Sequence, residues 1–369
     1  MSRMKNKVLV VGSIPGRDAA EAMRTCAAGI GSYLDCVPDG ETGIRRLWIN
    51  YLAATIYDGN SALETVNRPL PVDPKHVDEW RNLGEDWAPR GYEDHWQFRL
   101  KSDAKSVRFE ELGYAKEAIK SYPEFCTLRD TGLLPSDARF MVAIPLIESG
   151  IGPFFAHPTD FKPVWSAYED AMCREVELIV NSIPVTDLVL QWDIAWEVLA
   201  IEALAVGDYP PQLFPWMPES DPVERYIKAI SVAGSAVPEP ALMGLHLCYG
   251  DLGHRHFIEP PDLSVPVKMA NAATTAVARK IDYYHMPVPR DRDDGEYFEP
   301  LKNFDQGTGK LYLGLVHVTG GVGTSLRLLK TAKRYASGFG IATECGFGRR
   351  PAASIPELLD IHRTIASAL

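Results

Sequence analysis

The sequence lacks several features that would settle its class at once. None of its apolar runs approaches the ~18 uninterrupted residues needed to cross a bilayer, so no membrane span is expected. Basic residues are in the minority: 38 Lys and Arg stand against 49 Asp and Glu, giving a net charge of −11 and a pI near 5.4. That balance argues against nucleic acid or an anionic membrane surface as the main partner. The six cysteines (Cys26, Cys36, Cys126, Cys173, Cys248 and Cys345) are scattered over 369 residues, not gathered into a compact disulfide framework, which points to a reducing, cytoplasmic setting. Residues 1–7 carry basic groups but lead into a short strand-like run, 8–11, where a signal peptide would have its long apolar core. No low-complexity tract, linker or internal repeat divides the chain, and no G-x-G-x-x-G follows the first apolar run, as a dinucleotide-binding fold would require.

What is present is a large apolar fraction, 46% with 10% aromatics, enough for a sizeable core. It is organised as eight short apolar, β-branched runs, each ending in polar residues, Gly or Pro: residues 7–15, 32–41, 139–148, 187–197, 241–251, 280–290, 311–321 and 338–348. Such runs read as buried parallel strands that deliver functional loops. Helix-compatible stretches at 19–28, 163–182, 223–236, 324–337 and 355–368 give a β-then-α alternation. The expectation is an α/β fold, a single (β/α)8 TIM barrel over 1–369, with an open doubly wound sheet as the alternative. The second and third runs are about a hundred residues apart, so a long insertion, about 52–138, is expected between strands two and three. Its Trp80, Trp87, Tyr92 and Trp96 suit either a helical, aromatic lid over the barrel mouth or a satellite packing cluster.

In a parallel barrel the C-terminal ends of the strands converge on one cavity. Here those ends carry Ser13, Asp39, Glu41, Asp193, Glu197, His246, Cys248, His285, His317, Glu344 and Cys345. His246 and Cys248 are two apart on a strand, so their side chains share a face. An imidazole and a thiolate suit Zn2+, and Cys345 at the end of the last run offers a second thiolate. The run Gln191-Trp192-Asp193-Ile194-Ala195-Trp196-Glu197 sets carboxyls among tryptophans, a setting that raises carboxyl pKa values for acid/base work; a helix-capping role for Asp193 is the competing reading. The Gly-rich stretch 317–324 reads as an anion-binding turn or a plain tight turn. Arg45, Arg46, Arg349 and Arg350 read as binders of a substrate carboxylate or sulfonate, or as solvated surface. His254 and His256 read as solvent-exposed loop residues.

Together, His246-Leu247-Cys248-Tyr249-Gly250-Asp251 and Thr343-Glu344-Cys345-Gly346-Phe347-Gly348 resemble the zinc motifs of the C-terminal catalytic barrel of cobalamin-independent methionine synthase. The order of the other motifs fits: Gly12-Ser13-Ile14-Pro15 matches the G-S-x-P turn, Gly40-Glu41 the G-E motif, and Leu190-Gln191-Trp192-Asp193 the run with its Asp. The chain therefore resembles a stand-alone barrel of the uroporphyrinogen decarboxylase and methionine synthase superfamily. The resemblance implies a zinc-dependent alkyl, specifically methyl, transferase acting on a thiol. His246, Cys248 and Cys345 would be zinc ligands, and Ser13, Glu41 and Asp193 would hold the substrate; read from the residues themselves, Glu197 and Arg45 are further candidate substrate contacts, and Asp193 and His317 candidate catalytic groups. Where that family has a Glu ligand, the sixth run offers His285, as a fourth ligand or as a base or substrate contact. The implied partners are a small-molecule thiol and an alkyl donor, and a homo-oligomer is compatible. Two alternatives stay open: an epoxide-opening thiol transferase of the coenzyme M type, and a metal-free decarboxylase-like barrel or non-catalytic binding protein.

Overall fold

The computed structural model describes residues 3–69, 94–207, 214–217, 220–252, 255–305, 307 and 309–369. Nine strands are named among them: β1 (Cys36–Pro38), β2 (Leu63–Asn67), β3 (Gln97–Leu100), β4 (Arg139–Pro145), β5 (Leu188–Ile194), β6 (Leu242–Leu247), β7 (Tyr283–Pro287), β8 (Lys310–Gly314) and β9 (Gly340–Ile341). Seven form one curled parallel sheet in the order β1-β4-β5-β6-β7-β8-β9. The first apolar run is too short in its pairing to be a named strand. Val8 nonetheless makes parallel bridges to both edges, Leu34 on one side and Ile341 on the other. Backbone bonds from Leu9 N–H to Ile341 O (2.9 Å) and from Ile341 N–H to Lys7 O (2.8 Å) hold that seam. The architecture is TIM-barrel-like.

Strand periodicity explains how the sheet buries both faces. One apolar cluster joins Leu9, Val11, Cys36, Met141, Val189, Leu242, Tyr283, Tyr312 and Ala342, so eight segments of chain each send at least one side chain to the inside of the curl. Their sequence neighbours, among them Val8, Val37, Phe140, Leu190, Met243, Tyr284, Leu313 and Ile341, pack outward against the helices in the main core. Each fully buried aliphatic side chain contributes ~1.5–3 kcal/mol, so the two clusters together lock the alternation and with it the register.

Helices such as Ala19–Ile30, Phe161–Ser182, Pro222–Ala236, Gly321–Ala332 and Ile355–Ala368 coat the outside, close to the stretches expected. Their starts are local: Asp18 accepts from Glu21 N–H, and Asp221 precedes Pro222 and accepts from Val223 N–H. Trp196–Val206 differs, being buried along Trp196 to Ala203 and apolar on all sides, because it lies against the helices Ile147–Ile151, Pro222–Ala236 and Ser264–Ala276.

The described part of the region between β1 and β4 differs from a purely helical lid. It holds the antiparallel pair β2 and β3, a short π-helical turn at Ala53–Tyr57 and the helix Tyr114–Asp130. Its aromatics form a buried cluster, with Tyr57 against Phe98, Phe109, Phe154 and Phe155 and with Trp96 stacked on Phe98. Trp96 therefore follows the packing reading; Trp80, Trp87 and Tyr92 lie outside the described residues. No described helix is long and apolar enough to cross a membrane.

Candidate metal and substrate site

The inward parity of each strand decides what reaches its C-terminal end. Val11 points inward, and so does Ser13; Val189 carries the phase on to Gln191 and Asp193, Leu242 to His246 and Cys248, Tyr283 to His285. Register then aligns three of these: Asp193 pairs with His246 and His246 with His285 across β5, β6 and β7. Cys248 N–H donates to Ile194 O (2.9 Å), so the alternation continues one step beyond β6.

The donor atoms of His246, Cys248 and Cys345 lie within 4.8 Å of one another. The two sulfurs are 4.0 Å apart, close to the ~3.8 Å that two ~2.3 Å bonds at a tetrahedral zinc imply. Their hydrogen bond lowers Cys345 well below the usual thiol range, against burial and with help from Arg349, and raises Cys248. Arg349 Nη2 is 3.3 Å from Cys345 Sγ and 3.1 Å from Asp251 Oδ2. Burial lowers the His246 pKa, but Cys345 and Asp193 outweigh it and raise the value overall. Its Nε2 is buried without a hydrogen-bond partner. A site that favours positive charge, and presents an orphaned nitrogen beside two sulfurs, fits a thiophilic cation such as zinc.

Beside these donors, Ser13, Glu41, Asp193, His246, Cys248 and Cys345 all line one cavity of ≈ 940 Å³, its open mouth included. Leu47, Trp48, Phe154, Trp196 and Leu199 make up much of the remaining wall. Asp193 is held at both oxygens, Oδ1 accepting from Gln191 Nε2 (2.9 Å) and Oδ2 from Trp48 Nε1 (3.1 Å). Gln191 is fixed in turn by donating to Val11 O (2.6 Å) and accepting from Tyr283 OH (2.8 Å). Burial raises Asp193 to about 6, opposed by His246 and Gln191. Glu41 is raised well above its ordinary value by burial, then by Asp193 and Asp39. Among the described residues, Glu41 (φ 43°) and Trp48 (φ 52°) are the non-glycine residues with positive φ, and both line the cavity. Ser13 is clamped by the last loop: its carbonyl accepts from Phe347 N–H (2.6 Å) and its Oγ from Gly348 N–H (3.3 Å).

Four expected site residues do not join this group. His285 stands behind His246, Nδ1 to Nδ1 at 2.7 Å, with its Nε2 on Thr343 O (3.0 Å), so neither nitrogen is left for a metal. Arg45 turns away from the cavity because Asp39 Oδ2 accepts from both of its terminal nitrogens (2.8 and 2.6 Å). Glu197 is buried against Ser149, with backbone N–H at 3.1 Å and Oγ at 2.5 Å, outside the cavity wall. His317 points its Nε2 at Val288 O (3.0 Å) and its Nδ1 towards Glu344 (3.5 Å), again outside the lining. The capping reading of Asp193 also fails: Ser149 Oγ accepts from Ala195 and Trp196 N–H at the start of that helix. His256 is largely covered, between Glu344 and Glu259, and His254 lies outside the described residues. Arg349 is buried on the cavity wall and paired with Cys345 and Asp251, so its solvated-surface reading fails. Trp48, Gln191 and Tyr283 were missed as site-supporting residues; the inward parity of 191 and 283 was their available signal.

No protein-family model and no curated protein matches the chain. Among solved structures it is similar to a B12-independent methionine synthase from Shewanella sp. W3-18-1 in complex with selenomethionine, with TM-score 0.55 and 12% identity over 99% of this chain and 98% of that one. A methyltransferase from Methanosarcina mazei gives TM-score 0.49 and 13% identity, over 98% and 94% respectively. At these identities the likeness is one of fold.

Proposed function

We propose that this protein is a zinc-dependent alkyltransferase, methyl being the alkyl group expected, whose acceptor is the thiol of a small amino thiol. The observation that carries the reading is the convergence of His246, Cys248 and Cys345 at one end of a cavity whose neighbouring wall presents the carboxylates of Glu41 and Asp193. His246 Nε2 and the two sulfurs would hold the metal, which when bound supplies the charge that keeps a substrate sulfur deprotonated near neutral pH. Glu41 and Asp193 complement a substrate ammonium, and burial makes that pairing stronger than it would be in water. Gln191 and Trp48 fix the direction of Asp193, so the ammonium and the sulfur are held a set distance apart. Trp48, Phe154, Trp196 and Leu199 keep water from the reacting sulfur. Arg349, paired with Cys345 and Asp251, offsets negative charge at the sulfurs. The methionine synthase of similar fold is described in complex with selenomethionine, an alkylated chalcogen amino acid of the kind that methyl transfer to an amino-acid thiol would yield.

Metal analysis of protein purified without chelator, in wild type and Cys248→Ser, tests the reading. One zinc per chain, lost on substitution, is the expected result; none in wild type sinks it and leaves the metal-free alternative. Assays of an amino thiol with methyl donors and with epoxides then separate methyl transfer from epoxide opening.

A further inference from the structure

The proton placement around His246 follows from one backbone carbonyl. Thr343 O only accepts, and His285 Nε2 lies 3.0 Å from it, so that nitrogen carries a proton. A neutral imidazole then has its lone pair on Nδ1, which is 2.7 Å from His246 Nδ1. His246 Nδ1 must therefore be the donor of that bond. Its Nε2, buried and without a hydrogen-bond partner, is the nitrogen left for a metal beside Cys248 and Cys345. The opposite assignment needs a second proton on the buried His285 ring and would place a proton on His246 Nε2, where it would have to leave before a metal could bind.

We propose that His285 is a positioning residue for the metal and not a ligand: it selects the His246 tautomer and ring angle that aim Nε2 at the cation. The inference rests on the zinc reading above. It assigns three protein donors and one open position, the pattern of zinc sites that bind substrate. It also couples the two halves of the site, because the turn that supplies the Thr343 carbonyl supplies Cys345 as well, Thr343 Oγ1 donating to Cys345 O (2.6 Å). Metal-binding histidines are commonly oriented through their second nitrogen, usually by a carboxylate, carbonyl or water. Here an imidazole relays the same instruction from a carbonyl.

The test uses the full chain loaded with zinc, and with cobalt(II) as a spectroscopic probe, in wild type, His246→Ala, His285→Ala and His285→Gln. Affinity is read by competition with a chromogenic chelator and ligation by the cobalt ligand-field and sulfur charge-transfer bands. His285→Ala should bind metal roughly 10–100-fold more weakly, with unchanged bands at saturation. His285→Gln should recover most of that affinity, since its amide oxygen accepts from His246 Nδ1–H and its nitrogen donates to Thr343 O. His246→Ala should change the bands. Altered bands in saturated His285→Ala, or no recovery in His285→Gln, would overturn the proposal; the glutamine variant carries the test should the alanine variant fail to fold. Wild type that binds neither metal defeats the zinc reading itself, before any variant is compared.

Discussion

Replacing Gln191 with leucine nearly preserves volume and deletes three buried hydrogen bonds at once. Val11 O loses its donor at 2.6 Å, Asp193 Oδ1 its donor at 2.9 Å, and the Tyr283 hydroxyl its acceptor at 2.8 Å. The hydroxyl keeps a weak alternative in Met141 Sδ at 3.2 Å. A neutral hydrogen bond contributes a net ~0.5–1.5 kcal/mol and one to an ionised group ~1.5–3 kcal/mol, so Gln191→Leu should destabilise the protein by roughly 3–5 kcal/mol. Equilibrium urea unfolding would show this as a lower midpoint at unchanged slope. A double-mutant cycle with Tyr283→Phe should return a coupling of about 1–2 kcal/mol, because the phenylalanine removes the hydroxyl that leucine strands. Function should follow: without the Gln191 donor the Asp193 carboxyl titrates above about 6, and the KM for an amino thiol should rise more at pH 6 than at pH 8. Destabilisation below about 1 kcal/mol, or no coupling in the cycle, would refute the idea that this amide holds the carboxylate.

Glu197 makes a pH prediction away from the metal. Burial, with Glu148, raises it to about 7 from 4.5, so the fold keeps a proton that the unfolded chain has released. Its contribution to stability is therefore full at low pH and falls as pH rises between those values, by at most ~1.4 kcal/mol per pH unit; Glu197→Gln should remove that fall in unfolding measured from pH 4 to 8. Arg225→Met should cost about 3–5 kcal/mol by stranding Glu148, whose oxygens accept from Arg225 at 2.8 and 3.1 Å, and thermal melts would detect it. Gly150→Ala would put a Cβ 2.2 Å from the buried Tyr168 ring, a loss of about 1–3 kcal/mol, whereas Gly323→Ala meets nothing within 4 Å and should leave the melting temperature within a few degrees.

Much of the frame was legible in sequence because period-2 apolar runs report which residues face the inside of a curled sheet. The runs around residues 8, 36, 141, 189, 242, 283, 312 and 341 all fall at sheet strands or at the bridges of Val8. The same parity brought Ser13, Asp193, His246 and Cys248 to one cavity, where the loops that follow β1 and β9 add Glu41 and Cys345 out of phase with Cys36 and Ala342. It failed for residues several positions past the end of a strand, where the loop sets the direction: Arg45 folds back on Asp39, Glu197 lies under Ser149, and His317 seeks Val288 O. It also could not reveal that the inward imidazole of His285 is consumed by its neighbour on β6, since a hydrogen-bond partner is a distance and not a pattern. The β2 and β3 pair escaped because its strands are short and mostly exposed or half-buried, with no apolar run to mark them.

The clasp between Ser13 and the Phe347–Gly348 backbone joins groups 335 positions apart in sequence. Cys345 sits beside it, and the seam at Val8 closes through Ile341. A chain emerging from a ribosome would thus carry His246 and Cys248 for about a hundred residues of synthesis before the third donor and its seam appear. Contacts of such separation form slowly. On the zinc reading, metal capture at full affinity would accordingly be a late event in biogenesis, and an arrested chain ending near residue 335 should compete poorly for zinc although it would already hold two of the three proposed ligands.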